Sequence, residues 1–364
     1  MGKPSSVTAE QIHSVWRQRR WRRRLRSLLG KDVKLRPKRM TCLKDTFKSS
    51  VWRLDLKTPD GTFPVILKIF KPLKRKRRES LVEKKMYLSG SKALADFMPR
   101  ILLARENVAG QSAWVFMERL TPLPELVQFH PDHFDRIIPT LAKLHACTFN
   151  EKFLDVAHRF ASWLPHYLSE ASKKERKRYN EKCKKYLELA MEKRDLHSLI
   201  APRYDLLKTL LDKGPIYFPQ VVVAGMSVVH SDLQIPNIAV CGTITPGKPW
   251  KIKFIDWEGA RYAPCWFDMV NLVGIYLSYR TEWRHKEEQI LSRTATLYAS
   301  EMKKRGITFP LDPPTLMKMA FLQRILEKGL YLQLNWAVTG RKEAVLLSGF
   351  LQKIERWSRE LRLI

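Results

Sequence analysis

The stretch Val228-Val229-His230-Ser231-Asp232-Leu233-Gln234-Ile235-Pro236-Asn237-Ile238-Ala239-Val240 breaks an apolar run on His-x-Asp. It places an Asn five residues after that Asp and then opens a second apolar run. A third run, Lys253-Phe254-Ile255, ends on Asp256 and continues as Trp257-Glu258. A carboxylate that can hold a hydroxyl, an amide oxygen and a second carboxylate are the hard oxygen groups that phosphoryl transfer requires. Asp232 can take a proton from an attacking hydroxyl, while Asn237 and Asp256 can hold magnesium on a nucleotide. Asp before a strand and Asn after Pro are also ordinary turn residues. Asp256, at the end of its own strand-like run, is what lifts the pattern above a turn.

Such groups need a scaffold that brings phosphates to them. Lys68 sits inside Phe63-Pro64-Val65-Ile66-Leu67-Lys68-Ile69-Phe70. A lysine flanked by apolar β-formers is partly buried in a strand and needs an anion; the plainer alternative is an outward lysine on an edge strand. In a kinase such a lysine pairs the nucleotide phosphates and is held by a helix glutamate. Glu79 and Glu83 follow on the next helical stretch. Glu83 is the expected partner, because Met86, Tyr87 and Leu88 after it read as the packed part of that helix, whereas Glu79 lies among Arg and Lys. Val115-Phe116-Met117-Glu118-Arg119-Leu120 reads as a strand leaving a small lobe. Its backbone at Met117, Glu118 and Leu120 can read an adenine edge, with Met117 lining the pocket.

The elements follow in a simple order. Residues 1–38 read as a basic helical extension, with a capping box from Thr8 to Gln11 and Gly30 to close it. Seven arginines lie between Arg17 and Arg26, interleaved with a Trp/Leu stripe. That stripe packs on its own domain, or else the helix lies on anionic membrane or nucleic acid. Residues 39–120 read as a small sheet lobe for nucleotide: strands Val51–Lys57 and Phe63–Phe70 around the turn signal Thr58-Pro59-Asp60-Gly61, a helix over 74–88, then strands Ile101–Ala104 and Trp114–Leu120. Residues 121–364 read as a larger helical lobe, with a helix over 131–149, charged helices over 151–215, motif strands over 221–256 and a helical tail. The expected class is α+β with two lobes. At 364 residues and 45% hydrophobic composition the chain can bury a large core. A net charge of +31 favours anionic partners. Five scattered cysteines without CxxC spacing read as free thiols. No apolar run is long enough for a bilayer, and the expected location is cytoplasmic.

These residues carry a resemblance. The strand lysine of VILKIF, the VFMERL strand end, LAKLHA at Leu141–Ala146, HSDLQIPN, IDWE and the later Pro264 and Asp268 resemble the aminoglycoside phosphotransferase and choline kinase family, over roughly residues 40 to 280. The resemblance implies a protein-kinase-like fold, ATP and Mg2+ as cofactors, and a small-molecule hydroxyl acceptor. By resemblance, Asp232 is catalytic, Asn237 and Asp256 bind metal, Lys68 holds the α- and β-phosphates, His230 braces the loop and Asp268 stabilises it. Two departures stand out. The loop that covers the nucleotide is usually glycine-bearing, and here it is Asp45-Thr46-Phe47-Lys48-Ser49-Ser50, where Ser49, Ser50, backbone N–H groups and Lys48 would have to compensate. Ser231 stands where the family often has Gly. The charge leans toward an anionic acceptor. The rival reading is a kinase fold used without turnover as a scaffold on anionic membrane or nucleic acid, which would not need Lys68, Asp232, Asn237 and Asp256 together.

Overall fold

The computed structural model describes residues 7–72, 78–126, 128–242, 244 and 248–363, with only the backbone of residues 78–80, 91 and 126. The chain divides into two compact units. One comprises Met1–Val127, His158–Trp163 and Pro236–Gly259; the other comprises Gln128–Ala157, Leu164–Ile235 and Ala260–Ile364. The fold is α+β, as the sequence implies.

The first unit is built on an antiparallel five-stranded sheet: β1 (Met40–Asp45), β2 (Ser49–Thr58), β3 (Gly61–Phe70), β4 (Ile101–Val108) and β5 (Gln111–Glu118), in the order β1-β2-β3-β5-β4. The turn signal at Thr58-Pro59-Asp60-Gly61 closes β2 onto β3, with Thr58 opposite Gly61. The β4–β5 turn places Ala109 and Gly110 both at positive φ, 48° and 73°. That is the two-residue geometry whose twist matches the flanking strands. A short second sheet joins Thr121–Pro122, Ile238–Val240 and Ile252–Phe254.

Strand alternation gives the main sheet two faces. Val65, Leu67 and Ile69 of β3, with Trp114 and Phe116 of β5, face the N-terminal segment, in one core with Ile12, Trp16, Trp21 and Leu25. The Trp21 ring meets Trp114 at 5.3 Å and Phe116 at 4.9 Å between centroids. The Thr8–Gln11 capping box forms in both directions. The segment is two helices, α1 (Ala9–Gln18) and α2 (Trp21–Leu29), broken where Arg20 enters the left-handed region at φ 52°. A continuous helix would put Trp21 about 140° around from Trp16. The break lets both rings reach the same core. The apolar stripe is thus used inside the unit, and all seven arginines are exposed.

The helix expected over 74–88 is α3 (Arg78–Leu88); the start at Lys74 and the Glu79 side chain lie outside the described residues. Val82, Met86 and Tyr87 are buried, and α3 packs on the turn Trp257–Gly259 that follows Asp256.

The second unit is mainly helical. Its helices include α4 (Phe134–Ala146), α5 (Glu170–Glu192), α6 (Glu287–Lys303), α7 (Pro313–Arg324), α8 (Leu330–Thr339) and α9 (Leu347–Glu360). Met226–Val229 pairs antiparallel with Arg261–Pro264 and delivers the chain to His230. The apolar run from Val221 forms no strand. Pro219 opens a helix there, Pro219–Val223, in the first-turn position where its missing N–H costs nothing. No helix among the described residues is long and apolar enough to cross a membrane.

Trp21→Ala is expected to cost the first unit about 3–5 kcal/mol, the usual range for emptying a buried aromatic site. Chemical denaturation of the variant and the parent protein measures it. A cost near zero would mean that α2 only rests on the sheet.

Candidate active site

Lys68 leaves the face of β3 opposite the N-terminal helices. Its Nζ donates to Glu83 Oε1 on α3 and lies 3.6 Å from Asp256 Oδ1. The Lys68 and Glu83 side chains are 12% and 5% exposed and Asp256 is 38% exposed, so the pair is buried while Asp256 reaches outward. Burial acts against the Lys68 charge, but Glu83 and Asp256 together outweigh it and raise the ammonium above its ordinary value. Burial also raises the Glu83 carboxyl, and the repulsion from Asp256 adds to it. The attraction of Lys68 offsets only part, leaving Glu83 at about 7. One ammonium is shared by two carboxylates, and burial is what drives the Glu83 carboxyl upward.

These groups line a cavity of about 610 Å³ with Val51, Ile66, Met117, Glu118, Leu120 and the β1–β2 turn. Its apolar walls with a charged end suit a purine attached to phosphates. Glu118 also fixes the strand end, its Oε1 accepting the Arg100 N–H at 2.7 Å. Ser49 lines the cavity. Ser50 does not: adjacent strand residues point to opposite faces, and Ser50 is 1% exposed on the other side. Its hydroxyl finds no hydrogen-bond partner among the described residues.

The turn that lacks glycine is held by side chains. Thr46 Oγ1 accepts from the Lys48 and Ser49 N–H groups at 3.2 and 3.1 Å. Lys71, 5% exposed, donates to Asp45 Oδ1 at 2.6 Å and to the Thr46 carbonyl at 2.7 Å. Lys48 Nζ donates to Glu258 Oε2 at 2.9 Å. Lys71 and Glu258 escaped the sequence reading. The available signals were a second lysine, three residues after Lys68, at the end of the VILKIF strand and a second acid two residues after Asp256.

Magnesium requires hard oxygen donors. Asp256 supplies a carboxylate facing the cavity from a left-handed residue, φ 64°. The Ile255 N–H donates to the Asn237 carbonyl at 2.9 Å, so Asn237 and Asp256 leave neighbouring points of one strand pair. Asn237 is not among the cavity-lining residues. The carboxylates of Glu83, Asp256 and Glu258 offer oxygens within 4.8 Å of one another. Of these three, Glu83 is taken by Lys68 and Glu258 by Lys48, so Asp256 is the hard oxygen donor that the cavity offers to such an ion.

The second unit carries His230, Asp232 and Asp268. Asp268 is fully buried; its Oδ2 accepts the His230 N–H and its Oδ1 the Ser231 N–H, both at 2.7 Å. His145, from α4, adds Nε2 at 3.2 Å to Asp268 and holds Tyr298 through Nδ1 at 2.7 Å. Burial alone would raise the Asp268 carboxyl; the His145 hydrogen bond and nearby positive charge hold it below the usual aspartate range. Asp268 thus clamps the backbone immediately before Asp232. Asp232 is half-buried and its Oδ1 accepts from Gln234 Nε2 at 3.1 Å. His230 is buried, and its backbone N–H is one of the two that Asp268 accepts.

Residues 44–300 match the model of the phosphotransferase enzyme family. No curated protein matches the chain. Solved structures similar to it include an ethanolamine kinase of Plasmodium vivax, 14% identical, covering 90% of this chain and 82% of that one with a TM-score of 0.44. An aminoglycoside phosphotransferase from Streptomyces rimosus in complex with ADP and streptomycin is 14% identical over 76% of this chain and 90% of that one, TM-score 0.43. A spectinomycin phosphotransferase is 12% identical over 92% and 98%, TM-score 0.48.

Ser231 has φ 62° and a buried hydroxyl without a hydrogen-bond partner among the described residues. A non-glycine residue there costs about 1–2 kcal/mol, and glycine gives back about 0.5–1 in chain entropy. Removing the unsatisfied hydroxyl adds to the gain. Ser231→Gly is therefore expected to raise stability by about 1 kcal/mol. Thermal unfolding checks this, and a lower midpoint would refute the strain at Ser231.

Proposed function

Because the chain belongs to the phosphotransferase enzyme family, we propose that it moves the γ-phosphoryl group of ATP, with magnesium, onto a hydroxyl of a small-molecule or of a sugar or lipid-linked acceptor. The observation that carries this reading is the buried Lys68–Glu83 pair beside Asp256 in the wall of one cavity. A lysine held rigidly by a buried carboxylate offers its remaining N–H groups to phosphate oxygens at little cost in ordering. We assign nucleotide contacts to Lys68, Ser49 and the backbone of Met117, Glu118 and Leu120. Glu83 positions Lys68.

Asp232 is the assigned base. It accepts the proton of the acceptor hydroxyl as the oxygen attacks phosphorus, and the bond to the departing diphosphate oxygen breaks. Asp268 fixes the backbone of residues 230 and 231, which sets where the Asp232 carboxylate starts. Asn237 and Asp256 are the residues that would hold magnesium, which when bound neutralises charge on the phosphates. The cytoplasm, where ATP is plentiful, is the assigned compartment; all five cysteines are free thiols.

A scaffold without turnover is the competing reading, and one feature favours it: Lys48 and Glu258 are already paired within the cavity wall. Turnover of labelled ATP, with a panel of hydroxyl acceptors and a magnesium titration, separates the two. Asp232→Asn is expected to lower turnover by at least about 100- to 10,000-fold, the usual worth of general-base assistance, while nucleotide affinity stays within a few-fold. Asp256→Ala is expected to abolish the magnesium dependence of nucleotide binding, and Asn237→Ala to weaken it. Undiminished turnover in Asp232→Asn, or a parent protein that binds ATP without ever hydrolysing or transferring it, would defeat the proposal.

A further inference from the structure

The second unit contains a buried polar cluster that the phosphoryl-transfer reading does not use. Helix α5 buries Ser172, Arg176, Asn180, Cys183, Leu187 and Ala190, a stripe at helical spacing that turns Arg176 inward. The Arg176 residue is 5% exposed. Its Nη1 donates to the Tyr167 carbonyl at 2.6 Å, and its guanidinium lies 4.0 Å from the Tyr167 ring centroid. Its Nε and Nη2 are buried with no hydrogen-bond partner among the described residues. Tyr167 in turn stacks edgewise on Phe267, 5.4 Å between centroids. Over the same Phe267 ring, at 5.0 Å, lies the guanidinium of Arg324 from α7, which no carboxylate among the described residues pairs.

The local charge does not balance. Glu327, 5% exposed, accepts from the Tyr167 hydroxyl and from Gln323 Nε2, the latter at 2.7 Å, and forms no ion pair with either arginine. Both arginines act on the Tyr167 hydroxyl, lowering what burial and Glu327 raise. Two guanidiniums thus share the neighbourhood of one carboxylate. An arginine cannot shed its proton, and buried N–H groups left unmade are costly. Glu327 lies in a π-helical turn, Ile325–Gly329, the kind of irregularity that recurs at functional sites. Phe267 adjoins Asp268, the residue that clamps the backbone before Asp232.

We propose that Arg176 and Arg324 bind an oxyanion, a phosphate or a carboxylate, carried by the acceptor, so that the hydroxyl phosphorylated belongs to an anionic small molecule. Planar guanidiniums suit either group through paired N–H donors. Arg324, half-buried, meets the anion first; Arg176 supplies the two N–H groups that lack partners. The assignment rests on the phosphotransferase reading and gives it a substrate class.

The test uses the full chain and needs no turnover. Inorganic phosphate, and acetate in a second arm, are titrated by calorimetry at constant ionic strength in chloride. The Lys68→Ala background is used so that the nucleotide cavity does not supply the signal. One anion or the other is expected to bind saturably, and the arm that binds says which oxyanion is recognised. Arg324→Gln is expected to weaken that binding at least about 10-fold, as loss of a charge-assisted contact does. Arg176→Lys, which keeps the charge but loses the fork, is expected to weaken it as well while the protein stays folded. Absence of saturable binding for both anions, or affinity unchanged by Arg324→Gln, overturns the proposal. Intact turnover in Asp232→Asn alongside Arg324-dependent anion binding would defeat the transfer mechanism and leave the anion site standing.

Discussion

The buried contact between the Lys68 ammonium and the Glu83 carboxylate is the constraint around which the first unit is arranged. Neither charge is tolerable alone at that depth, since removing one partner of such a pair typically costs about 3–5 kcal/mol. Their meeting fixes the distance between β3 and α3, and α3 in turn packs on the turn that follows Asp256. Asp256 then competes for the same ammonium at 3.6 Å, which leaves the pair electrically over-supplied with carboxylate. A phosphate chain with its counter-cation is the kind of ligand that relieves this, because it draws on the lysine and engages the exposed acid at once.

The covering turn shows how a chain manages without glycine. Glycine normally allows backbone N–H groups to approach phosphate closely. Here the Thr46 hydroxyl gathers two of those N–H groups, so the turn is shaped but part of its donor capacity is consumed. Lys71 anchors the turn from below through Asp45 and the Thr46 carbonyl, and Lys48 ties it to Glu258. Lys48 and Glu258 are both half-buried, so this tie holds the turn against the strand end that carries Asp256. Ser231 shows the same economy in the second unit: a strained, buried serine is tolerated because Asp268 accepts its N–H.

Local signals in the sequence reached far. The Thr58–Gly61 turn, the Thr8–Gln11 box and the burial of Lys68 beside Glu83 all follow from residues close together in the chain or from one period of a strand or helix. What was illegible depended on partners far away in sequence. The inward face of Ser49 rather than Ser50 is set by register with β3, which the short polar turn does not reveal. The break at Arg20 answers to Trp114 and Phe116, nearly a hundred residues downstream. Lys71 and Glu258 reveal their roles only when the turn and the Asp256 strand end are brought to one cavity. The clamp by Asp268 was accessible through family resemblance, not through any pattern in its own neighbourhood.

The most direct measurement is a double-mutant cycle on nucleotide binding, with Lys68→Met, Glu83→Gln and the double variant titrated with ATP and magnesium by calorimetry. If Glu83 acts by holding Lys68 on the phosphates, each single change weakens binding, and the double variant binds no more weakly than Lys68→Met alone. The coupling would then fall in the range of about 0.5–3 kcal/mol found for residues in contact. Strictly additive losses, or nucleotide affinity indifferent to Lys68, would contradict the account.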